Sequence, residues 1–302
     1  MKIFKSKKAE FNIKSTYDAL IEEWNVNVKQ VNVPTEYGTT HVNVCGQPNG
    51  IPLVMLHGVG DNSALMWIYN AAALAQHFKI YAIDTIGGPG KSIPSEKYNK
   101  NFDPVRWLDD VLNFFELSDV NLVGVSHGGY LAQYYTSKRS NRVIKAACLA
   151  STVSVKESQS PIKIMLKIFF PEALIPTKNN IKKLLKKLSG ENSDAFINHP
   201  LIFEHFVYLT KGFNNMAMKH HKIIPFTEEQ LNVIRDKCLF LVGESDPFAI
   251  LEGKELLLKY EMRTNFFNGV GHGNNHEIPD EINDILIDFF KEVPLKDQDI
   301  SS

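Results

Sequence analysis

An α/β architecture, a mostly parallel central sheet with helices on both faces and an inserted helical cap, is what the sequence predicts. Three observations lead there. Short, continuous apolar runs such as Pro52-Leu53-Val54-Met55-Leu56 alternate with longer amphipathic stretches, the pattern of strands buried on both faces and joined by crossover helices. That rhythm stops over residues 153–235, where helical periods separated by prolines take over. It resumes at Cys238-Leu239-Phe240-Leu241-Val242, as expected if the helical stretch is inserted into one continuous sheet.

Taken in order, a helical extension around residues 15–24 opens the chain. Residues 28–33 and 41–45 then alternate apolar and polar side chains on either side of Tyr37-Gly38, which predicts a hairpin. Residues 52–56, 80–83, 120–125 and 146–150 are the continuous apolar runs expected as parallel strands. The insertion predicts four helices, over residues 161–170, 180–188, 194–211 and 227–235, punctuated by Pro171, Pro176, Pro200 and Pro225. After the strand at 238–242 come a helix near 252–260, a strand near 265–268 and a closing helix over 280–291. A polar tail, residues 294–302, is expected to fray. The domain reading is therefore a core formed by residues 1–152 and 236–302, interrupted by a cap over 153–235.

Composition narrows the function class. The 302 residues include 44% hydrophobic side chains and carry a net charge of −1, enough apolar content for a large core and too little field to recruit nucleic acid. The basic start, Met1-Lys2-Ile3-Phe4-Lys5, is not followed by an apolar run with a cleavage site, so no signal peptide is read and a cytoplasmic location is expected. Every apolar stretch is interrupted by charge well short of the roughly 20 residues that span a bilayer. Cys45, Cys148 and Cys238 each sit in a strand-like run and read as reduced core residues.

The chemistry-bearing signal is Gly124-Val125-Ser126-His127-Gly128-Gly129, between a predicted strand and a predicted helix. A serine nucleophile needs a tight, strained strand-to-helix turn that lifts its hydroxyl clear, and side chains at the flanking glycines would crowd that turn. Ser126 is thus the candidate nucleophile. A serine hydroxyl is weak at neutral pH and needs a histidine base oriented by a carboxylate, which on such a turn follow in the order serine, acid, histidine. The strand at 238–242 ends in Gly243-Glu244-Ser245-Asp246-Pro247, which makes Asp246 the candidate acid. Beyond the next strand, Gly269-Val270-Gly271-His272-Gly273 gives an imidazole room to swing, which makes His272 the candidate base. Glu244 and His276 are the rivals, with loop bracing and helix packing as their plainer roles. Donors for a developing oxyanion are expected from the backbone N–H of His127, after the nucleophile, and of Val59, in the turn Leu56-His57-Gly58-Val59-Gly60.

Other patterns carry less. Thr85-Ile86-Gly87-Gly88-Pro89-Gly90-Lys91-Ser92 imitates a phosphate loop, but Thr85 stands where the first glycine belongs, Pro89 removes an N–H, and no helix opens after it. The basic amphipathic run 178–187, with Lys182, Lys183, Lys186 and Lys187, reads as the solvated outer face of a cap helix in preference to a lipid-binding one. His199, His205, His220 and His221 read as surface or hydrogen-bonded core residues. No spacing suggests a metal site, and no cofactor is expected.

With these residues in hand the chain resembles the α/β-hydrolase superfamily, through Leu56-His57-Gly58, Asp84 with Gly87 and Ser92, the Gly124 to Gly128 motif, Asp246 and Gly271-His272. More narrowly it is similar to the carboxylesterase NP (naproxen esterase) group in its N-terminal extension, its Asp84 to Ser92 loop continuing into Ile93-Pro94, and Trp107. The resemblance implies a serine carboxylesterase acting on a small-molecule ester through Ser126, Asp246 and His272, with residues 153–235 as the cap. That group often carries glutamate where this chain has Asp246. Thioester, amide, lipid-ester or carbon–carbon hydrolysis, and a non-catalytic ligand receptor on the same scaffold, are the alternatives; a receptor has no chemical need for all three side chains.

Overall fold

The computed structural model describes residues 2–159, 161–170, 172 and 175–292, so the predicted frayed tail lies outside the described residues. The strands are β1 (Lys29–Thr35), β2 (Gly38–Gly46), β3 (Ile51–Leu56), β4 (Phe78–Ile83), β5 (Ile93–Pro94), β6 (Val120–Val125), β7 (Val143–Leu149), β8 (Cys238–Gly243) and β9 (Thr264–Phe267). The helices are α1 (Lys7–Glu22), α2 (Ser63–Met66), α3 (Ala71–Ala75), α4 (Pro104–Phe114), α5 (His127–Lys138), α6 (Pro161–Phe169), α7 (Lys178–Leu188), α8 (Asp194–Ile197), α9 (Pro200–Gly212), α10 (Glu228–Lys237), α11 (Lys254–Lys259), α12 (Asn274–Glu277) and α13 (Pro279–Lys291). The strands form one sheet in the order β1-β2-β4-β3-β6-β7-β8-β9, with β5 pairing β2. From β4 to β9 every pairing is parallel, while β1, β2 and β5 are antiparallel.

Successive strand residues feed opposite layers, as the pleat requires. Leu53, Met55, Val123, Val125, Leu239 and Leu241 join the layer that α1, α3 and α13 cover. Val54, Leu56, Leu122, Phe240 and Val242 join the layer under α4, α5, α10 and α11. Both faces are therefore dry, which is why these strands read as continuous apolar runs.

Two predicted elements differ from what forms. The N-terminal helix starts at Lys7, well before residue 15, because Ser6 caps it by accepting a hydrogen bond from the Ala9 N–H at 3.1 Å. The single helix expected over 194–211 is two, α8 and α9. Pro200 cannot continue the first and instead opens the second, with the His199 ring accepting from the Ile202 N–H. The helix expected at 227–235 forms as α10, packs on α5, and carries Lys237, which donates to the carbonyls of Ser140 and Val143.

The N-terminal segment fastens to the helical insertion. Lys5 N–H donates to Gly212 O and Asn214 N–H to Ile3 O, each at 2.8 Å, so that Phe4 bridges Phe213 as in an antiparallel pair. Further along, Thr16 Oγ1 meets the buried His205 of α9 at 2.6 Å. Cys45, Cys148 and Cys238 are buried free thiols.

Candidate active site

Because β3, β6, β8 and β9 run parallel, their carboxyl ends share one edge of the sheet. Val59, Ser126, Asp246 and His272 are each carried on the segment that leaves one of those ends. Ser126 follows β6 directly. Its backbone lies at φ 55°, ψ −116°, a region costing a non-glycine residue about 1–3 kcal/mol, and the surroundings hold it there. Its N–H donates to Leu149 O at 2.8 Å, and its carbonyl accepts from Tyr130 N–H at 3.1 Å. A Cβ on Gly124 would lie 2.1 Å from Gly128 O, and one on Gly128 would lie 2.2 Å from Leu56 O. The flanking glycines are therefore required by backbone passing backbone.

Asp246 is buried on the loop after β8. One carboxylate oxygen accepts from the Phe248 N–H at 2.8 Å and the other meets His272 Nδ1 at 2.8 Å. The Phe248 ring covers the imidazole with centroids 4.6 Å apart. Burial alone would lower the pKa of His272, but the charge of Asp246, its hydrogen bond and the Glu277 carboxylate more than offset this, leaving it raised above 6.5. Among the described residues Ser126 Oγ has no hydrogen-bond partner, so the serine and the imidazole share an edge without being linked. Links of this kind commonly tighten only around bound substrate.

The two expected oxyanion donors have free N–H groups among the described residues. His57 arranges one of them. Its Nε2 accepts from the Thr85 N–H at 2.9 Å, so the proton belongs on Nδ1, which donates to Gly58 O at 2.7 Å. A trans peptide points its C=O and N–H in opposite directions, so the Val59 N–H is turned away from His57. Gly58 brings this turn against the serine, since a Cβ there would touch Ser126 Cβ at 3.5 Å. Burial pushes the His127 pKa down to about 3, with His221 and His57 adding to the effect, so its side chain is neutral.

The rivals are engaged elsewhere. Glu244 pairs with Lys254, and His276 Nε2 meets Leu65 O at 3.0 Å beside the Phe196 ring. The loop that imitates a phosphate cradle is wrapped around Asp84, whose carboxylate accepts from Ser63 N–H, Ser63 Oγ and Lys91 N–H at 3.0, 2.7 and 2.7 Å. Lys91 reaches outward to Asp18 and Gln30. Among the described residues no three histidine, cysteine or carboxylate side chains converge as a metal ion would require, and no helix is long and apolar enough to cross a membrane.

Sequence reasoning placed His221 only coarsely, as a surface or hydrogen-bonded core residue, and missed Glu277. His221 fills an aromatic box of Tyr98, Phe102, Trp107 and His127 and meets Ile86 O at 2.8 Å, seating the segment before α10 beside the Ser126 turn. Glu277 collects backbone N–H groups from both sides of His272. The spacing of a carboxylate five residues after the histidine, at the start of the closing helices, was the available signal for the second.

Known proteins can now be set beside this geometry. A family profile for the alpha/beta hydrolase fold matches residues 51–187. The chain is 27% identical to the uncharacterized carboxylesterase nap of Bacillus subtilis, covering 91% of each chain. It is 24% identical to carboxylesterase YbfK of the same organism, over 90% of this chain and 91% of that one. In structure it superposes on the naproxen esterase (carboxylesterase NP) of Bacillus subtilis with a TM-score of 0.80 at 24% identity, covering 95% of this chain and 99% of the other.

Proposed function

We propose, from the premise that this chain has the α/β-hydrolase fold and is similar over 91% of its length to a bacterial carboxylesterase, that it is a serine carboxylesterase hydrolysing small-molecule esters. The observation that carries the reading is the 2.8 Å contact of a buried Asp246 with His272 Nδ1, on the edge where Ser126 is held in a strained backbone. Asp246 keeps the proton on Nδ1 and leaves Nε2 as the base. In the reaction Ser126 Oγ attacks the ester carbonyl while His272 Nε2 takes its proton. The N–H groups of Val59 and His127 receive the oxyanion, and the imidazolium returns the proton to the departing alcohol. Water, deprotonated by the same imidazole, then attacks the acyl-enzyme, releasing the acid and restoring Ser126.

The test is a series of chromogenic esters of graded acyl length, run beside Ser126→Ala. Removal of the nucleophile is expected to lower kcat roughly a million-fold with melting unchanged. A fluorophosphonate should add once, at Ser126. A loss below about tenfold, or an adduct mapping to another residue, would refute the reading.

A further inference from the structure

The loop that carries His272 is joined to two other parts of the molecule. On one side it is paired with the segment in which the chain leaves α7: His272 N–H donates to Leu188 O and Glu191 N–H to Gly269 O, both at 2.7 Å. The two backbones run so close that a Cβ on Gly190 would lie 1.8 Å from Gly269 O. On the other side stands α12, whose Glu277 is 2% exposed and has no cationic partner among the described residues. Its carboxylate instead accepts three backbone N–H groups: Gly271 at 3.1 Å, Gly273 at 3.2 Å and Gly190 at 2.8 Å. The first two flank His272 and the third belongs to the cap. Asn192 Nδ2, also from the cap, donates to Glu277 O at 2.7 Å.

A buried carboxylate without a cation is costly unless it is fully hydrogen-bonded, so three donors are what keep Glu277 where it is. Conversely, the carboxylate fixes the peptides on both sides of the base, and it does so only while Gly190 is in place to complete the set. We propose that Glu277 is a positioning residue for His272, clamping the base loop to the cap's return segment so that the imidazole is correctly presented only while the cap is seated. The inference rests on the esterase reading above. The charged groups facing His272 are Asp246 from the loop after β8 and Glu277 from α12. From the cap side Glu191 lies against Gly269, and Glu244 is already paired with Lys254.

The proposal is tested by kinetics of Glu277→Gln and Glu277→Asp on one chromogenic ester across the acid limb, with Ser126→Ala alongside. Glutamine can offer one oxygen where three N–H groups converge and turns an NH2 toward them. It is expected to lower kcat about a hundred-fold with KM nearly unchanged, and to move the acid-limb midpoint down by about half a pH unit or more, because a negative charge facing the imidazolium has gone. Aspartate keeps the charge on a shorter arm. It should leave the midpoint at the wild-type value while kcat falls about tenfold. Gly190→Ala, changed only on the cap side, should also lower kcat about tenfold or more, since its Cβ must push the return segment off Gly269. The proposal is overturned if glutamine retains kcat within about twofold, if it loses kcat with the midpoint unmoved, or if Gly190→Ala is fully active. Turnover persisting in Ser126→Ala would instead sink the esterase reading itself, whatever Glu277 does.

Discussion

The proposed nucleophile and the proposed base leave the same edge of the sheet, after β6 and after β9, yet they are held in opposite ways. Ser126 is fixed by what is next to it in the chain and by the adjoining strands: glycines two residues either side, Tyr130 four residues on, Leu149 on β7. His272 is fixed chiefly by partners far along the chain, Asp246 after β8 and Leu188 in the insertion, while Glu277, five residues on, ties the peptides beside it to Gly190. A local device leaves a local signature, and a distributed one does not. Both tolerate no side chain where backbones touch, Gly128 against Leu56 in the first and Gly190 against Gly269 in the second; the second differs in that several separate hydrogen bonds from distant segments share its work.

The sharpest way to break this contrast is Gly128→Ala. A methyl group 2.2 Å from Leu56 O cannot be accommodated without moving β3 or α5, so a loss of about 3 kcal/mol or more and little soluble active protein are expected, read by denaturant unfolding. A wild-type midpoint in that variant would remove the claim that the nucleophile's turn is rigidly local. Next in size, Asp246→Asn should cost about ten-thousand-fold in kcat by favouring the wrong imidazole tautomer, whereas Glu244→Gln should cost less than about tenfold. The reverse ranking would move the acid two residues toward the strand.

Smaller effects come from pH. His272 must be neutral to accept the proton, and its raised pKa places the acid limb of kcat/KM above pH 6.5, rising with pH to a plateau. A midpoint clearly below 6.5 would mean that burial dominates and that the Asp246 contact is weaker in solution. Stability should fall in the same direction, through a different set of rings. His127 and His205 are pushed down to about 3, His221 and His276 to about 4, in each case chiefly by burial. The unfolded chain binds these protons near pH 6.5 and the folded chain refuses them, so their stabilisation is complete above 6.5 and is lost as pH falls toward 4. Each contributes up to about 1.4 kcal/mol per pH unit. His272 works in the other direction, as do Asp61, pushed up to about 7 by burial, and Glu277, also raised by burial; His41, His57 and His220, all lowered, add to the side of the four rings. A melting temperature flat between about pH 6.5 and 4.5 would contradict the burial of these rings.

What could be read from the sequence follows the same division. The strands are legible because both sheet faces are covered, which turns each into an unbroken apolar run, and Ser126 is legible because close backbone approach demands glycine on either side. Asp246 and His272 could be named as strand-end residues, but nothing in the local sequence states that they meet at 2.8 Å. Glu277 was overlooked because its partners are backbone N–H groups, which have no letter in the sequence. The early start of α1 depends on one cap, Ser6, outside the apolar stripe of Ile13, Tyr17, Leu20 and Ile21. The division at Pro200 was visible as a proline but outweighed by the helical period on either side.

The pairing of Lys5 with Gly212 and of Ile3 with Asn214 has a consequence in time as well as in space. On a growing chain residues 3–5 must wait for a segment roughly two hundred residues behind them before Phe4 and the outer face of α1 find their partners. Closing so long a loop is slow, and until it closes α9 has only part of its support. The sheet and the Ser126 turn can therefore be complete on a molecule whose α9 is still only partly anchored, and refolding should show the junction between residues 3–5 and residues 212–214 maturing last.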